Sequence, residues 1–264
     1  LAAAEELRRR GYAVDVYDRY DRLGGLLMYG IPNFKLDKSA VMRRTDRLAE
    51  AGIRFHTDFE VGHDASLDEL RDRHDAVLIA TGVYKAREIS VPGAGLGGVF
   101  AAMDYLTASN RKGLGDAVPA FDDGTLNAHG KHVVVVGGGD TAMDCVRTAV
   151  RQGARSVKCL YRRDRANMPG SQREVRNAEE EGVEFVWLSA PEAFLGNGTV
   201  EAVRACRMRL GAPDPGGRQQ PVPVDDSSFT VKADIVVKAL GFDPEDLPAM
   251  FGEENLALTD WGTL

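Results

Sequence analysis

A β-branched run that ends in three glycines stands near the middle of the chain, where residues 133–142 read VVVVGGGDTA. A buried strand that turns into a helix at Gly-x-Gly-x-x-Ala presents backbone N–H groups and the positive end of a helix dipole, which together bind a pyrophosphate. We expect the carboxylate inside this pattern to cap the first N–H groups of the helix. The candidate pyrophosphate-binding residues are Gly137, Gly138, Gly139, Asp140 and Thr141.

Two arginines follow the next predicted strand, within the stretch SVKCLYRRDR at residues 156–165. A dinucleotide site for NAD usually has a carboxylate there, which accepts a hydrogen bond from the ribose 2′-hydroxyl. Guanidinium groups instead pair with a 2′-phosphate. Arg162 and Arg163 therefore predict an NADP site rather than an NAD site. A ligand-free turn and a solvated arginine pair stay open as alternatives, because glycine-rich turns also close ordinary α/β units.

A parallel sheet must hold the glycine turn and the arginine pair in place. The pattern predicts a helix over 141–152, a strand over 156–161, a helix over 172–181 and a strand over 183–188. Three arginines on or just after the first of these helices are expected to face solvent, namely Arg147, Arg151 and Arg155. Two antiparallel strands, over 200–210 and 229–231, are predicted to bracket a loop rich in proline and glycine.

Two segments repeat one pattern, an acid before an apolar run that ends in a small residue and glycine. Residues 75–80 read DAVLIA and are followed by Thr81 and Gly82, and residues 232–241 read KADIVVKALG. Both predict a buried parallel strand. Glycine permits close approach of the backbone to a ligand or to another backbone segment. One nucleotide-binding unit is therefore predicted to be interrupted by another and to resume near residue 241.

The first residues read as the second half of a dinucleotide-binding unit. Residues 1–10 predict a helix, and a strand over 13–17 follows and ends at Asp18. The glycine turn of that unit would lie upstream of Leu1. We therefore expect the chain to be an internal part of a longer protein.

The composition is that of an ordinary globular protein, with 264 residues, 28% charged residues and a net charge of −7. The acidic balance argues against nucleic-acid binding and membrane-surface binding, and no apolar run could span a bilayer. The three cysteines form neither C-x-x-C nor a metal-ligand spacing, which favours buried thiols in a reducing cytoplasm. No nucleophile constellation is visible, so hydrolase chemistry is disfavoured and we predict neither catalytic side chains nor a metal site.

Five segments in order carry a resemblance to a known family: VYDRYDRLGGLLMYGIPNFKL, DAVLIATG, VVVVGGGDTAMDC, YRRDRANMPGSQREVRNAEEEGVEF and ADIVVKALGFDPEDLP. The chain resembles the NADPH-dependent glutamate synthase small (β) subunits and their relatives among the two-dinucleotide-domain FAD/NAD(P) flavoprotein reductases. The resemblance implies an α/β fold with two Rossmann-like domains, the NADP domain inserted in a truncated FAD domain. The implied FAD parts are residues 1–99 and 232–264, and the implied NADP domain is 100–231.

The resemblance also implies roles for residues outside the glycine turn. Asp18 matches the FAD ribose carboxylate, and Lys35 matches a position that reaches the FAD phosphates or ring edge. Val61 is similar to a position whose backbone contacts the adenine. The loop over the flavin would be Gly24, Gly25 and Leu26, and the FAD-side crossing would be Thr81 and Gly82. The crossing near the nicotinamide would be Ala239, Leu240 and Gly241.

The activity that the resemblance implies is hydride transfer from NADPH to FAD, with electrons passed on to iron–sulfur centres of glutamate synthase. Those clusters are expected upstream of this chain, and the implied partner is the glutamate synthase large (α) subunit, which aminates 2-oxoglutarate. Two alternatives stay open. The chain could belong to a ferredoxin:NADP oxidoreductase-type subunit, or it could be an NADP-binding module without turnover.

Overall fold

The computed structural model describes residues 1–217 and 219–264, and the chain divides into two compact units. The first unit contains Leu1–Lys85 and Phe242–Leu264, and the second contains Ala86–Gly241. The first unit is thus interrupted in the sequence by the second. Positions 99/100 and 231/232, at which the resemblance places the domain boundaries, fall inside strands of the second unit, Val99–Ala101 and Phe229–Lys232.

The first unit is built from short elements. Its helices are α1 (Ala2–Arg9), α2 (Leu26–Tyr29), α3 (Lys38–Glu50), α4 (Leu67–Arg73) and α9 (Leu247–Phe251). Its strands β1 (Asp15–Tyr17) and β2 (Arg54–His56) pair in parallel, with Val16 opposite Phe55. Strands β3 (Lys85–Ala86) and β13 (Phe242–Asp243) stand where the chain passes between the units. Ser66 and Glu69 form a capping box that begins α4.

The prediction of a buried strand over residues 75–80 is wrong. These residues form no strand, and the side chains of Val77 and Leu78 are 38% and 67% exposed. A strand needs a neighbour to accept and donate its backbone hydrogen bonds. Among the described residues of the first unit, β1 and β2 pair only with each other and not with this segment. The apolar pattern alone therefore does not make it a strand.

The second unit is centred on a five-stranded parallel sheet of order β4-β12-β5-β6-β7. Its strands are β4 (Val99–Ala101), β5 (His132–Val136), β6 (Ser156–Tyr161), β7 (Glu184–Trp187) and β12 (Ile235–Lys238). Its helices are α5 (Ala102–Gly113), α6 (Pro119–Asp122), α7 (Asp140–Arg151) and α8 (Gln172–Glu180). The sequence predicted α7, β6, α8, β7 and β12 to within a few residues, but it missed α6 and β4.

The unbroken β-branched run of β5 follows from burial on both faces of the sheet. Val133 and Val135 belong to the core cluster that contains the α7 side chains Met143 and Val146. Val134 and Val136 belong to a second cluster with residues of the antiparallel strands. Successive side chains of a strand point to opposite faces, so a strand covered on both sides is apolar at every position.

The antiparallel sheet consists of β8 (Ser189–Leu195), β9 (Ala202–Pro213), β10 (Gln219–Pro223) and β11 (Phe229–Lys232). Strand β9 pairs with all three of the others. The sequence predicted β9 and β11 but missed β8 and β10, each of which contains proline and shows a register shift. No helix in the described part of the chain is long and apolar enough to cross a bilayer.

Candidate dinucleotide-binding site

The carboxyl ends of three neighbouring strands meet at the glycine turn in the second unit. Strand β5 lies between β6, which follows it in the chain, and β12, which returns to it from the far end of the unit. In such sheets the crevice outside the carboxyl end of the strand where the order reverses is the ligand site. The Gly137 N–H donates to the Leu160 carbonyl at 3.1 Å, and the Ala239 N–H donates to the Val136 carbonyl at 2.8 Å.

The three glycines of the turn differ in what surrounds them. A Cβ at Gly137 (φ +148°) would overlap the Ala239 carbonyl, and a Cβ at Gly138 would overlap the Tyr161 ring. These two glycines are therefore required by packing within the fold. Gly139 has an extended backbone with φ −91° and ψ 178°, which any residue adopts. Among the described atoms none lies within 4 Å of a Cβ built there, so the fold itself does not require glycine at 139.

Asp140 does not have the capping role that the sequence predicted. Gly139 is the N-cap of α7 and Asp140 is its first helical residue, with no side-chain hydrogen bond to the helix N–H groups. The Asp140 Oδ1 instead accepts a hydrogen bond from the Ser171 N–H at 2.9 Å. The Ala142 N–H donates to the Gly139 carbonyl at 3.0 Å, so the first-turn donors that could reach a ligand are the N–H groups of Asp140 and Thr141. Thr141 follows in the first turn and is half-buried.

The two arginines of the predicted 2′-phosphate site have different surroundings. Arg162 is exposed, whereas Arg163 is only 7% exposed. The Arg163 Nε and Nη2 have no hydrogen-bond partner among the described residues. A buried guanidinium without an acceptor is costly, because its desolvation is not compensated.

Residues 162–171, here called the arginine loop, fold back onto the glycine turn. The Gly170 N–H donates to the Gly138 carbonyl at 2.9 Å. The Tyr161 hydroxyl donates to the Asn167 carbonyl at 3.0 Å, and its ring lies beside Gly138. The loop therefore leaves the sheet at the glycine turn and returns to it before α8 begins.

The prediction that Arg147 faces solvent is wrong. The residue is 8% exposed, and its guanidinium lies 2.6 Å from Glu174 and 2.7 Å from Glu181. Arg151 also pairs with Glu181. These ion pairs join α7 to α8 and to the residue after α8. A 3.6-residue pattern could not reveal them, because the partners lie in another helix.

The segment after β12 contains the three residues that the resemblance places near the nicotinamide. Ala239 is buried, and its carbonyl lies against the position that a Cβ of Gly137 would take. Leu240 packs against the second core cluster. Gly241 has a φ of +89°, in the region that favours glycine.

In the first unit, Asp18 lies directly after β1. Its Oδ1 accepts from the Tyr20 N–H at 3.0 Å, and burial raises the pKa of its carboxyl while this hydrogen bond lowers it. Gly24 and Gly25 have φ values of +114° and +52°, and a Cβ at Gly24 would overlap the Val41 side chain. The glycines form the turn that begins α2, whose first residue, Leu26, is 40% exposed.

The remaining predicted FAD contacts are spread along the first unit. Lys35 is exposed, and its N–H donates to the Pro32 carbonyl at 2.9 Å, which closes a turn. Val61 forms an isolated parallel bridge with Ala65 and packs beside Leu67. Thr81 and Gly82 are exposed, and Gly82 has a φ of +74°. They do not end a strand, because residues 75–80 form none.

The cysteine thiols are buried and free. Burial raises the pKa of the Cys159 thiol to about 12 and that of Cys145 well above its usual value. Burial also raises the pKa of Cys206. These thiols stay protonated near neutral pH and are poor nucleophiles. No group of three metal-ligating side chains occurs within residues 1–217 and 219–264.

Two known proteins are similar in sequence to the whole of this chain. The glutamate synthase [NADPH] small chain of Azospirillum brasilense is 67% identical over 264 residues, which are 100% of this chain and 55% of that protein. The putative glutamate synthase [NADPH] small chain of Cereibacter sphaeroides is 61% identical, over 100% of this chain and 63% of that protein. The chain thus spans between half and two-thirds of the length of these relatives.

A solved structure confirms the α/β fold expected from the resemblance. Mycobacterium tuberculosis FprA in complex with NADPH superposes with a TM-score of 0.81 at 20% identity, over 99% of this chain and 71% of that one. The family described as pyridine nucleotide-disulphide oxidoreductase matches residues 1–264. This chain therefore belongs to the pyridine nucleotide-disulphide oxidoreductase family.

Proposed function

We propose that the second unit binds NADPH at the glycine turn and that the chain serves as an NADPH-dependent flavoprotein oxidoreductase. The observation that carries the proposal is the free space at Gly139. Gly137 and Gly138 are accounted for by packing, but no contact among the described residues explains the third glycine. A diphosphate that approaches the backbone at the amino terminus of α7 does explain it.

The arginine loop supplies the preference for a 2′-phosphate. Arg163 holds two buried nitrogen atoms without an acceptor, and Arg162 beside it is exposed. A dianionic phosphate would accept from both guanidiniums and offset the desolvation of the buried one. A 2′-hydroxyl could not do so, because it brings no charge.

The first unit fits the FAD role that the family resemblance implies. The Asp18 carboxylate, at the end of β1, is the group that would accept hydrogen bonds from the ribose hydroxyls. The turn at Gly24 and Gly25 has a left-handed backbone that only glycine adopts easily, and it would lie over the flavin ring. Lys35, Val61, Thr81 and Gly82 would provide the further contacts.

The reaction is hydride transfer from nicotinamide to flavin, which the two cofactors supply when bound. The residues of this chain bind and orient the nucleotides and exclude water, so no acid or base side chain is needed. The three cysteines are buried and form no disulfide, so we propose no thiol pair as the acceptor of the electrons. Electrons would therefore pass to iron–sulfur centres upstream of this chain.

The two relatives at 67% and 61% identity favour one biological setting. We assign the chain to the small subunit of an NADPH-dependent glutamate synthase, which delivers reductant to a cytoplasmic large (α) subunit. The test is glutamate formation from glutamine and 2-oxoglutarate in the assembled complex, driven by NADPH. A complex that oxidises NADPH but forms no glutamate would contradict this setting and favour another electron acceptor.

The nucleotide preference is tested by replacing both arginines. In the FAD-saturated enzyme, Arg162→Ala combined with Arg163→Ala should lower kcat/KM for NADPH about 100-fold, because each lost charge-assisted hydrogen bond is worth about 1.5–3 kcal/mol. The kcat/KM for NADH should change by less than about threefold. Steady-state oxidation of each nucleotide with an artificial one-electron acceptor measures both values. Equal losses for the two nucleotides would contradict the 2′-phosphate role.

A further inference from the structure

The Asp140 carboxylate connects the glycine turn to the far end of the arginine loop. Its Oδ1 accepts from the backbone N–H of Ser171, the residue immediately before α8. This bond spans 31 positions of sequence. A hydrogen bond from a neutral N–H to an ionised carboxylate is stronger than one between neutral groups. The contact is thus suited to hold two separate backbone segments together.

The far end of the loop is held to the glycine turn by one backbone hydrogen bond and by this carboxylate. Tyr161 holds the near end against Gly138 and the middle through Asn167. The Gly170 N–H reaches the Gly138 carbonyl. The side chain of Ser171 itself makes no capping bond to α8. Among the described residues at the amino terminus of α7, Asp140 is the one whose side chain contacts the far end of the loop.

A carboxylate at this position has a cost for the proposed ligand. Asp140 is the first residue of the helix whose amino terminus would face the diphosphate, and like charges repel there. A role in helix capping does not offset that repulsion, because the carboxylate makes no capping bond. Its observed contact is with the loop that carries Arg162 and Arg163.

We propose that Asp140 is a positioning residue that fixes the arginine loop against the glycine turn and thereby sets the preference for a 2′-phosphorylated nucleotide. The inference rests on the proposed NADPH site. It assigns the carboxylate to discrimination between two cofactors that differ only in the 2′-phosphate. Loss of the contact would loosen the far end of the loop that carries the arginines, while the diphosphate site at Gly139 would stay intact.

The test measures the dissociation constants of NADPH and NADH for matched variants by calorimetry. Asp140→Ala should weaken NADPH about tenfold and leave NADH unchanged or slightly tighter, because one charge-assisted bond is lost and a repulsive charge is removed. Asp140→Asn keeps an acceptor for the Ser171 N–H and should restore the preference. Glu180→Ala, at an exposed position of α8, changes the net charge equally and should leave both constants unchanged.

A second variant removes the donor instead of the acceptor. Ser171 has φ −55°, a value that proline adopts, so Ser171→Pro removes this N–H without a backbone conflict at its own φ. Alone it should lower the NADPH preference as Asp140→Ala does, and combined with Asp140→Ala it should add no further loss. Additive losses would show that the two groups act separately and would overturn the inference.

The remaining outcomes separate this inference from the site on which it rests. Parallel shifts of NADPH and NADH in both Asp140→Ala and Asp140→Asn would show that only the charge matters, and the positioning role would be overturned. The positioning role would also be overturned if the preference for NADPH were lost on replacing Arg162 and Arg163 but kept in Asp140→Ala. A preference unchanged in all of these variants would instead overturn the proposed 2′-phosphate site.

Discussion

At the scale of residues, the three glycines of one motif serve two purposes. Gly137 and Gly138 make room for the Ala239 carbonyl and the Tyr161 ring, so they belong to the fold. Gly139 makes room for no other described atom of the protein, and we propose that it makes room for the ligand. The sequence motif predicted all three positions, but it could not separate these roles, because the separation depends on strands that are far apart in the chain.

Substitution of Gly138 should therefore reduce stability, whereas substitution of Gly139 should reduce nucleotide binding. Gly138→Val should lower the free energy of unfolding by about 1–3 kcal/mol or prevent folding, because its side chain must displace the Tyr161 ring. Gly139→Val should change the unfolding free energy by less than about 0.5 kcal/mol and abolish NADPH binding. Urea unfolding and nucleotide titration of both variants measure these effects. Unchanged NADPH affinity in Gly139→Val would contradict the assigned approach of the diphosphate.

The contacts of Asp140 and Arg147 show where prediction from the sequence ends at this scale. Residue type placed Asp140 at a helix start, where capping is the usual role, and placed Arg147 on a helix surface. Their partners, Ser171, Glu174 and Glu181, come from α8 or from the residues that flank it. No local pattern records such pairs, because they are set by how two helices lie against one sheet.

At the scale of elements, prediction succeeded where burial alone determines the pattern. Strand β5 is covered on both faces, and its four consecutive valines predict that directly. It failed for residues 75–80, because an equally apolar run has no paired neighbour in the described chain. It also missed β8 and β10, where proline interrupts strands that β9 nevertheless pairs with.

The ion pairs between α7 and α8 predict a pH dependence of stability. Hydrogen bonds from Arg151 and Arg147, opposed by desolvation, lower the pKa of Glu181 from 4.5 to about 2. The unfolded chain therefore binds more protons at this residue than the folded chain in that range. The stabilisation is complete above about pH 4.5 and is lost as the pH falls toward 2.

Glu181→Gln should remove this contribution. Between pH 6 and pH 3 its free energy of unfolding should fall by about 1 kcal/mol less than that of the wild type, since a partly exposed pair is screened by solvent. Urea unfolding at both pH values measures the difference, and Glu180→Gln on the exposed side of α8 is the matched control. A Glu181→Gln variant as acid-sensitive as the wild type would contradict the role of this network.

At the scale of the whole molecule, the chain is acidic, with a net charge of −7. An anionic nucleotide must therefore be attracted by local charge against the overall field. The arginine pair and the amino terminus of α7 supply that local charge. The family match covers residues 1–264, and the first of the two compact units is interrupted in the sequence by the second.

The most direct measurement of the central claim is calorimetric titration of the protein with NADPH and with NADH at low and high salt. We predict that NADPH binds at least about 100-fold more tightly than NADH at low salt, because two guanidiniums meet the additional phosphate. The difference in affinity between NADPH and NADH should become smaller at high salt, because salt screens the exposed Arg162. Part of the difference should remain, because Arg163 is buried and is screened less. Equal affinities for the two nucleotides, or no binding heat with either one, would contradict the account.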